Sequence, residues 1–348
     1  MAMARTYQLE DARPERLEGL MVAVFGYGNQ GHAHALNLRD SGVEVLVAAR
    51  EGRGATAARE AGFAVKSFDD AAAMADVLML TLPDELQAQV FAEHIAPHWK
   101  EDAVLALAHG FALAFGQIEL EPQRRAFLVA PKGQGHKLRQ AYVAGGGLPG
   151  LLAVRGPEAE QILELALAYA HACGALAGGG FLSTFREEAV TDQFGEQVVL
   201  CGGLEELIVA AWETLVDRGY SREVAYFECL HEVKLIVDLM AEHGVEGMRS
   251  RISSTAAFGG MRAAKRVIDE TSRRAMGELL DEIEDGRFAT EFLEDSRGGS
   301  KRLHRAIASE EEHDMIRTGH ELRAFLRRCR LDRLDRPEEN DPQEGSRR

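Results

Sequence analysis

The chain has 348 residues, 46% of them hydrophobic, and its 56 acidic residues against 40 lysines and arginines give a net charge of −16. This length predicts two globular domains with ample cores, and the acidic balance argues against nucleic acid as the main partner. No apolar run reaches 18 residues, and residues 1–16 contain no apolar segment like that of a signal peptide. We therefore expect neither membrane insertion nor export. Four scattered cysteines without a C-x-x-C motif predict reduced thiols in a cytoplasmic protein.

A glycine-rich motif follows the first apolar run. Residues 20–25 read as a buried strand, and residues 32–40 read as a helix that ends at Ser41-Gly42. A G-x-G-x-x-G sequence between a strand and a helix is typical of dinucleotide binding, because the glycines let a pyrophosphate approach the backbone at the helix N-terminus. The residues of the motif are Gly26, Tyr27, Gly28, Asn29, Gln30 and Gly31.

The end of the second strand indicates which dinucleotide is bound. Residues 43–49 form this strand, and Arg50, Glu51 and Arg53 follow it. An acidic residue here usually holds the ribose 2′-hydroxyl of NAD, whereas an arginine accommodates the 2′-phosphate of NADP. Arg50 and Arg53 therefore favour NADP. Two alternatives stay open: Glu51 takes the acidic role, or the arginines are solvated loop side chains.

Strand and helix patterns continue to alternate up to about residue 173. Buried strands at 75–82, 104–108, 127–130 and 151–154 predict an open α/β sheet, in which ligands bind at the carboxyl ends of the strands. His109, Lys132 and His136 each follow such an end. Pro83 opens a helix whose first residues are Asp84, Glu85, Leu86 and Gln87.

The second half of the chain has helical periodicity. Residues 187–217, 222–242, 249–286 and 301–329 predict long helical segments, so the fold class is α/β with an N-terminal doubly wound Rossmann domain followed by an all-α C-terminal domain. We place the Rossmann domain at 18–183 and the helical metal, substrate and dimerisation domain at 184–330. The polar tail at 331–348 has the composition of a disordered segment.

Two pairs of acidic residues stand out in the helical half. Asp192 with Glu196, and Glu228 with Glu232, are each four residues apart and flanked by apolar residues. Residues i and i+4 share one face of a helix, so each pair can direct its oxygens to a common point. Acids without a cationic neighbour in an apolar segment need a balancing partner. Two such pairs facing each other would form a site for a hard cation. The alternative stays open that they lie on solvated helix faces, where such pairs are common.

Together the motifs resemble those of the ketol-acid reductoisomerase family, in its short, class I form. The resemblance covers roughly residues 18–330, with the motifs in the family's order. They are residues 26–42, Pro83-Asp84-Glu85-x-Gln87, His109-Gly110-Phe111, Pro131-Lys132-Gly133-x-Gly135-His136, residues 191–197 and residues 226–239.

The resemblance implies an NADPH- and magnesium-dependent enzyme of branched-chain amino-acid biosynthesis that acts on 2-acetolactate and its ethyl homologue. It implies a homodimer, in which the second acid pair comes from the partner chain. Carried over by motif, the metal ligands are Asp192, Glu196, Glu228 and Glu232, the catalytic residues are His109, Lys132 and Glu232, and Ser253 contacts the substrate. The cofactor-binding residues are Gly26, Tyr27, Gly28, Asn29, Gln30, Gly31, Arg50, Arg53, Asp84, Glu85, Leu86, Gln87 and Gly135.

The segment after Ser253 departs from the family pattern. The family usually has Asn, Glu, Tyr and Asp where this chain has Ser254, Ala257, Phe258 and Gly260. Three hypotheses follow: an active ketol-acid reductoisomerase, a specialised paralogue acting on a related 2-hydroxy-3-keto or 2-keto acid, or a non-catalytic NADPH-binding dimer. Of these we favour the first, and retention of all four acids and Lys132 argues against the third.

Overall fold

A computed structural model of the chain describes residues 4–329. The predicted tail at 331–348 lies outside this range. The chain divides into two compact units between Gln193 and Phe194, and each unit is described separately.

The first unit contains a nine-stranded sheet in the order β1-β9-β8-β7-β6-β5-β2-β3-β4. The pairs β1/β9 and β7/β8 are antiparallel, and the other neighbours are parallel. The strands are β1 (Thr6–Tyr7), β2 (Met21–Phe25), β3 (Glu44–Ala48), β4 (Val65–Lys66), β5 (Val77–Leu80), β6 (Val104–Leu107), β7 (Ala126–Pro131), β8 (Gly150–Arg155) and β9 (Gly180–Leu182).

Helices cover both faces of this sheet. Along β2, Val22 and Val24 belong to one hydrophobic core, whereas Ala23 and Phe25 belong to another, because successive side chains of a strand point to opposite faces. The predicted doubly wound domain is thereby confirmed. Its helices are α1 (Asn29–Asp40), α2 (Arg53–Glu60), α3 (Phe68–Met74), α4 (Asp84–Val90), α5 (Phe111–Ala114), α6 (Gly135–Val143), α7 (Ala159–Cys173) and α8 (Phe185–Gly195), with short 3₁₀ helices at Leu9–Asp11 and Pro14–Leu17 and a π-helical turn at Phe91–Ile95.

Three short strands are absent from the sequence prediction. β1, β4 and β9 have two or three residues each, too few for an alternating pattern to be recognised. Their pairing depends on partners far along the chain: Tyr7 lies opposite Gly180, and Val65 lies opposite Val47.

The second unit is helical, as predicted. Its core combines Ile208 and Trp212 with Ala225, Tyr226, Met315 and Leu322. These residues lie on three of the helices, and the Trp212 indole N–H donates to the carbonyl of Arg222 (3.1 Å). The helices are α9 (Gly203–Asp217), α10 (Arg222–Tyr226), α11 (Val233–Arg249), α12 (Ser254–Val267), α13 (Glu270–Glu284), α14 (Arg287–Arg297), α15 (Lys301–Glu311) and α16 (Asp314–Cys329), with π-helical turns at Glu196–Leu200 and Phe227–His231.

α11 and α12 have no buried residue. Both carry exposed apolar side chains, among them Leu235 and Val237 on α11 and Phe258 and Met261 on α12. Between residues 4 and 329, no helix is both long and apolar enough to span a bilayer. Cys173, Cys201 and Cys229 are free thiols.

Candidate active site

The glycine motif forms the turn between β2 and α1. Gly26 has a φ of +99°, which a residue with a side chain rarely adopts, and its N–H donates to the Ala48 carbonyl (2.9 Å). A Cβ at Gly31 would lie 2.0 Å from the Gly26 carbonyl oxygen. The helix begins at Asn29 without a side-chain cap, so the N–H groups of its first turn remain available to an anion.

A second helix begins beside the first. The Gln30 amide donates from Nε2 to the Gly133 carbonyl (3.0 Å), just before α6. A Cβ at Gly135 would lie 1.7 Å from the Asn29 carbonyl oxygen, so the start of α6 packs directly on the start of α1. Two helix N-termini therefore meet at the carboxyl edge of the sheet, where both contribute partial positive charge. This arrangement fits the pyrophosphate of a dinucleotide.

The corner after β5 supplies further polar atoms. Gln87 is 3% exposed, and its Nε2 donates to the Leu82 carbonyl (2.9 Å) and to Asp84 Oδ1 (3.0 Å). Among residues 4–329, the buried Oε1 atoms of Gln87 and Gln30 have no hydrogen-bond partner. Buried acceptors normally have a partner, and these two leave capacity for a ligand. Asp84, Glu85 and Leu86 are half-buried at the same corner.

Arg50 and Arg53 lie on the exposed segment between β3 and the start of α2. Neither has a carboxylate within 4.0 Å in the part of the chain that the structure describes. Glu51, by contrast, pairs with Arg59. The segment approaches the glycine motif, because a Cβ at Gly54 would lie 3.4 Å from the Tyr27 carbonyl oxygen.

A charged network joins the ends of β6 and β7 to α8. Its centre is Glu188, whose side chain is 1% exposed. Oε2 of Glu188 accepts hydrogen bonds from the Gly110 N–H (2.7 Å) and from Nδ1 of His109 (3.0 Å). Oε1 accepts from Nζ of Lys132 (2.9 Å), which also donates to Oδ1 of Asp192 (2.9 Å). The buried carboxylate of Glu188 thus binds His109 through one oxygen and Lys132 through the other.

The network shifts the proton affinity of its members. Burial alone would lower the pKa of His109, but the hydrogen bond and charge of Glu188, with the charges of Asp84 and Asp192, raise it to about 9. Burial opposes the charged form of Lys132 as well, yet the carboxylates of Glu188 and Asp192 raise its pKa. Burial raises the pKa of Glu188, whereas its hydrogen bonds to His109 and Lys132 and their positive charges lower it. The net effect is a lowered pKa. All three side chains are therefore charged at neutral pH.

Three possible metal-ligating side chains come together here. Ligand atoms of His109, Glu188 and Asp192 lie within 4.8 Å of one another. The carboxylate oxygens suit Mg²⁺, whereas the imidazolium of His109 offers no lone pair. Asp192, which is 29% exposed, is the oxygen donor that fits a magnesium ion. The expectation that the acid pairs lack a cationic neighbour is wrong for Asp192, because β7 brings Lys132 to it from 60 residues away.

The remaining predicted ligands belong to the second unit. Glu196, Glu228 and Glu232 are exposed. Glu196 begins one π-helical turn, Glu228 lies within the other, and Glu232 follows it directly. Glu228 and Glu232 therefore lie on a π-helical turn, in which the Glu232 N–H donates to the Phe227 carbonyl (3.2 Å), whereas the π turn that begins at Glu196 follows the Asp192–Glu196 pair. A π turn inserts one residue, reorients the side chains that follow and is frequent at functional sites.

Ser253 is the N-cap of α12, where its Oγ accepts a hydrogen bond from the Ala256 N–H (3.1 Å). The hydroxyl proton remains available to another acceptor. Phe258, in the segment that departs from the family pattern, is 74% exposed.

Sequence reasoning missed the role of Glu188. The available signal was spacing: Glu188, Asp192 and Glu196 are successive acids four residues apart, which places the first two on one face of α8. Gln193 was missed also; its Nε2 lies 3.4 Å from Nε2 of His109.

Comparison with known families covers almost the whole described chain. Residues 16–179 match the family described as the NADPH-binding domain of acetohydroxy acid isomeroreductase, and residues 185–328 match the C-terminal domain of ketol-acid reductoisomerase. The chain belongs to the ketol-acid reductoisomerase family. It is thus a member of a family of oxidoreductases, as the resemblance predicted.

One similar solved structure belongs to the same family, and two others share only the fold. An NADH-preferring ketol-acid reductoisomerase from an uncultured archaeon is 37% identical, with a TM-score of 0.88 over 92% of this chain and 98% of that one. A semialdehyde dehydrogenase NAD-binding protein from Cupriavidus necator is 20% identical, with a TM-score of 0.58 over 77% of this chain and 98% of that one. A pyrroline-5-carboxylate reductase from Coxiella burnetii is 14% identical, with a TM-score of 0.52 over 76% and 96%. The last two share the fold alone.

Proposed function

We propose that this ketol-acid reductoisomerase family member converts 2-acetolactate and 2-aceto-2-hydroxybutanoate to the corresponding 2,3-dihydroxy-3-methyl acids. The reaction uses Mg²⁺ and NADPH and serves valine and isoleucine biosynthesis in the cytoplasm. The observation that carries the proposal is the hydrogen bond of Lys132 to Asp192, held by buried Glu188 at the carboxyl ends of β6 and β7. The protonated amine of Lys132 and the carboxylate of Asp192 therefore lie next to the strand ends at which a dinucleotide binds in this kind of sheet.

The reaction has two steps on adjacent carbons. The hydroxyl at C2 loses its proton, the alkyl group moves with its electron pair from C2 to C3, and the C3 oxygen gains a proton. A hydride and a proton then convert the new C2 ketone to an alcohol. When bound, Mg²⁺ supplies Lewis acidity to the substrate oxygens and NADPH supplies the hydride.

The chain's own residues position charge and protons for these steps. Lys132 holds protons on Nζ, because Glu188 and Asp192 raise its pKa. It can donate a hydrogen bond to a substrate oxygen where negative charge develops. Glu188 binds both Lys132 and His109, so it keeps their orientation fixed before substrate arrives. His109 shapes the cleft for nicotinamide and substrate.

The metal ligands we propose are Asp192 and Glu196, with Glu228 and Glu232 supplied by a second copy of the chain. Four carboxylates suffice for two Mg²⁺ ions, because this ion retains several water ligands. Ser253 contacts the substrate, and Glu232 acts in catalysis. A homodimer is supported by α11 and α12, whose side chains are not buried within the chain and include exposed Leu235, Val237, Phe258 and Met261. Large apolar side chains exposed together on neighbouring helices are typical of protein–protein interfaces.

NADPH is the proposed cofactor because Arg50 and Arg53 carry unneutralised positive charge in the segment after β3. The archaeal relative prefers NADH, so the family fold alone does not determine this preference. The dinucleotide-binding residues are those of the glycine motif, Arg50, Arg53, the Asp84–Gln87 corner and Gly135.

A second candidate function is favoured by the substitutions that follow Ser253. Ser254, Ala257, Phe258 and Gly260 replace more polar family residues. This change suits a related 2-hydroxy-3-keto or 2-keto acid with a less polar substituent.

One assay distinguishes the two candidate functions. NADPH oxidation is measured with 2-acetolactate and with 3-hydroxy-3-methyl-2-oxobutanoate, each with Mg²⁺ and with EDTA. Magnesium-dependent turnover of both supports the main proposal. Reduction of the second substrate alone supports the paralogue, and turnover of neither contradicts catalysis on this substrate class.

A further inference from the structure

A cavity of about 430 Å³ opens at the carboxyl ends of β3 and β4, next to the segment that contains Arg50. Its lining includes Arg50, Glu51, Arg59, Lys66, Asp69 and His94. In a sheet of this kind, the end of the second strand of the glycine-motif unit is where the adenosine ribose is read. The cavity therefore lies where a dinucleotide's 2′-position would be recognised.

The charges that line this cavity are unevenly paired. Both carboxylates have partners: Glu51 contacts Arg59, and Asp69 Oδ1 lies 2.7 Å from Nδ1 of His94. Arg50 and Lys66 have no carboxylate within 4.0 Å between residues 4 and 329. Three cations against two carboxylates leave the lining positive. Such a surface attracts a phosphate.

Glu51 is held by both of its oxygens. NH1 of Arg59 donates to Oε2 (2.9 Å), and NH2 of Arg59 donates to Oε1. Two parallel hydrogen bonds to one carboxylate fix its orientation as well as its charge. The pKa of Glu51 is lowered by this contact with Arg59. Arg59 lies near the end of α2, so the helix carries the guanidinium back to the segment after β3.

The state of Glu51 has opposite consequences for the two dinucleotides. A free carboxylate would accept a hydrogen bond from a ribose 2′-hydroxyl and would repel a 2′-phosphate. A carboxylate in a bidentate pair with a guanidinium keeps lone pairs that can accept a hydrogen bond, but its charge is compensated, so it repels a 2′-phosphate less. Arg59 therefore reduces the repulsion between Glu51 and a 2′-phosphate, while Arg50 and Lys66 continue to attract the phosphate.

We propose that Arg59 is a specificity-determining residue: by holding Glu51, it makes this cavity select the 2′-phosphorylated dinucleotide. The inference rests on the dinucleotide binding of the proposed function and assigns its selectivity to a residue that need not touch the phosphate. It also explains how an acid at position 51 coexists with an NADP-type site.

Calorimetric binding of 2′,5′-ADP and of 5′-AMP tests the proposal without substrate or metal. The wild-type chain should bind 2′,5′-ADP more tightly. Arg59→Gln frees Glu51, so the ratio of the two affinities should fall about tenfold, equivalent to roughly 1.4 kcal/mol. The double variant Arg59→Gln/Glu51→Gln should recover most of the wild-type ratio, because the freed charge is gone.

Arg13→Gln is the matched control, since Arg13 forms an ion pair with Glu164 (3.0 Å) and does not line the cavity. It should keep the wild-type ratio. An unchanged affinity ratio in Arg59→Gln would overturn the proposal. A double variant whose ratio is as low as that of Arg59→Gln would also overturn it, because Arg59 would then bind the phosphate directly. A wild-type preference for 5′-AMP would overturn it too.

Failure of this inference and failure of the proposed function give different results. If the affinity ratios are as predicted but 2-acetolactate is not turned over, the enzymatic proposal is contradicted and the role of Arg59 stands. If the chain turns over 2-acetolactate but wild type and Arg59→Gln have the same preference for 2′,5′-ADP over 5′-AMP, the enzymatic proposal stands and the role of Arg59 is contradicted.

Discussion

Nζ of Lys132 lies 2.9 Å from Oε1 of Glu188, a carboxylate that is only 1% exposed. A buried charge is stable only with partners, and removal of one partner leaves the others uncompensated. Glu188 accepts three donors, and the ammonium of Lys132 gains a fixed direction toward Asp192. From this arrangement we expect the site to require Glu188, although Glu188 need not contact substrate.

Glu188→Gln should lower kcat with 2-acetolactate by at least about 100-fold, because Lys132 and His109 lose their common anchor. The same substitution should lower the pKa of His109 from its value of about 9, since the neighbouring negative charge is removed. Steady-state kinetics and an NMR titration of His109 in metal-free protein measure these two effects. Glu187→Gln is the control, because Glu187 is exposed on the same helix. Wild-type turnover in Glu188→Gln would contradict the assignment.

Gly135→Ala and Gly28→Ala should have different effects. At Gly135 a Cβ would lie 1.7 Å from the Asn29 carbonyl oxygen, so we expect the free energy of unfolding to fall by about 2 kcal/mol or more. At Gly28 a Cβ would have no atom within 4 Å among the described residues, apart from Gly28 itself and its two neighbours in the chain. Gly28→Ala should keep its stability and bind NADPH at least about tenfold more weakly, because the methyl group obstructs the pyrophosphate. Denaturant unfolding and fluorescence titration separate the two outcomes. Full NADPH affinity in Gly28→Ala would place the pyrophosphate elsewhere.

Acid should destabilise the Rossmann unit through His34. This residue is fully buried, and its Nδ1 lies 3.0 Å from the Tyr169 hydroxyl, whereas its Nε2 has no hydrogen-bond partner in the described part of the chain. Burial, with a smaller effect of His32, lowers its pKa to about 4. The folded state therefore prefers neutral His34, and this preference contributes stability above pH 6.5 that is lost as the pH falls toward 4.

The loss corresponds to roughly 3 kcal/mol over this range. Urea unfolding at several pH values should show a shallower acid decline in His34→Gln than in the wild type. His136→Gln, at an exposed position on α6, serves as the control. Equal pH slopes in wild type and His34→Gln would show that His34 is not the titrating group.

Mixed dimers should reveal whether the second acid pair comes from a partner chain. Asp192→Asn and Glu228→Gln should each abolish isomerisation, since each removes a proposed Mg²⁺ ligand. Co-expression of the two variants produces hybrid dimers with one intact site, so activity should return to about a quarter of the wild-type value. Asp238→Asn, which removes an exposed acid paired with Lys234 on α11, should leave activity unchanged. Absence of recovery in the mixture would mean that both acid pairs of a site belong to one chain.

The sequence by itself determined the alternation of strands and helices in the first unit and the position of the glycine turn. These features depend on local patterns: apolar runs, Gly26 at positive φ and a helix that begins immediately afterwards. The helical character of the second unit was predicted for the same reason. Family membership followed from the order of motifs, which the comparisons confirmed.

Only the tertiary structure decided the partners of the charged residues. Glu188 is buried because β6 and β7 bring Gly110 and Lys132 to α8 from 78 and 56 residues away. Glu51 is ion-paired because α2 carries Arg59 back beside it, and Glu228 and Glu232 lie on a π-helical turn. Residue spacing specifies which side chains share a face of an element, but the free energy of a charge depends on every group packed around it. That environment is assembled from distant parts of the chain.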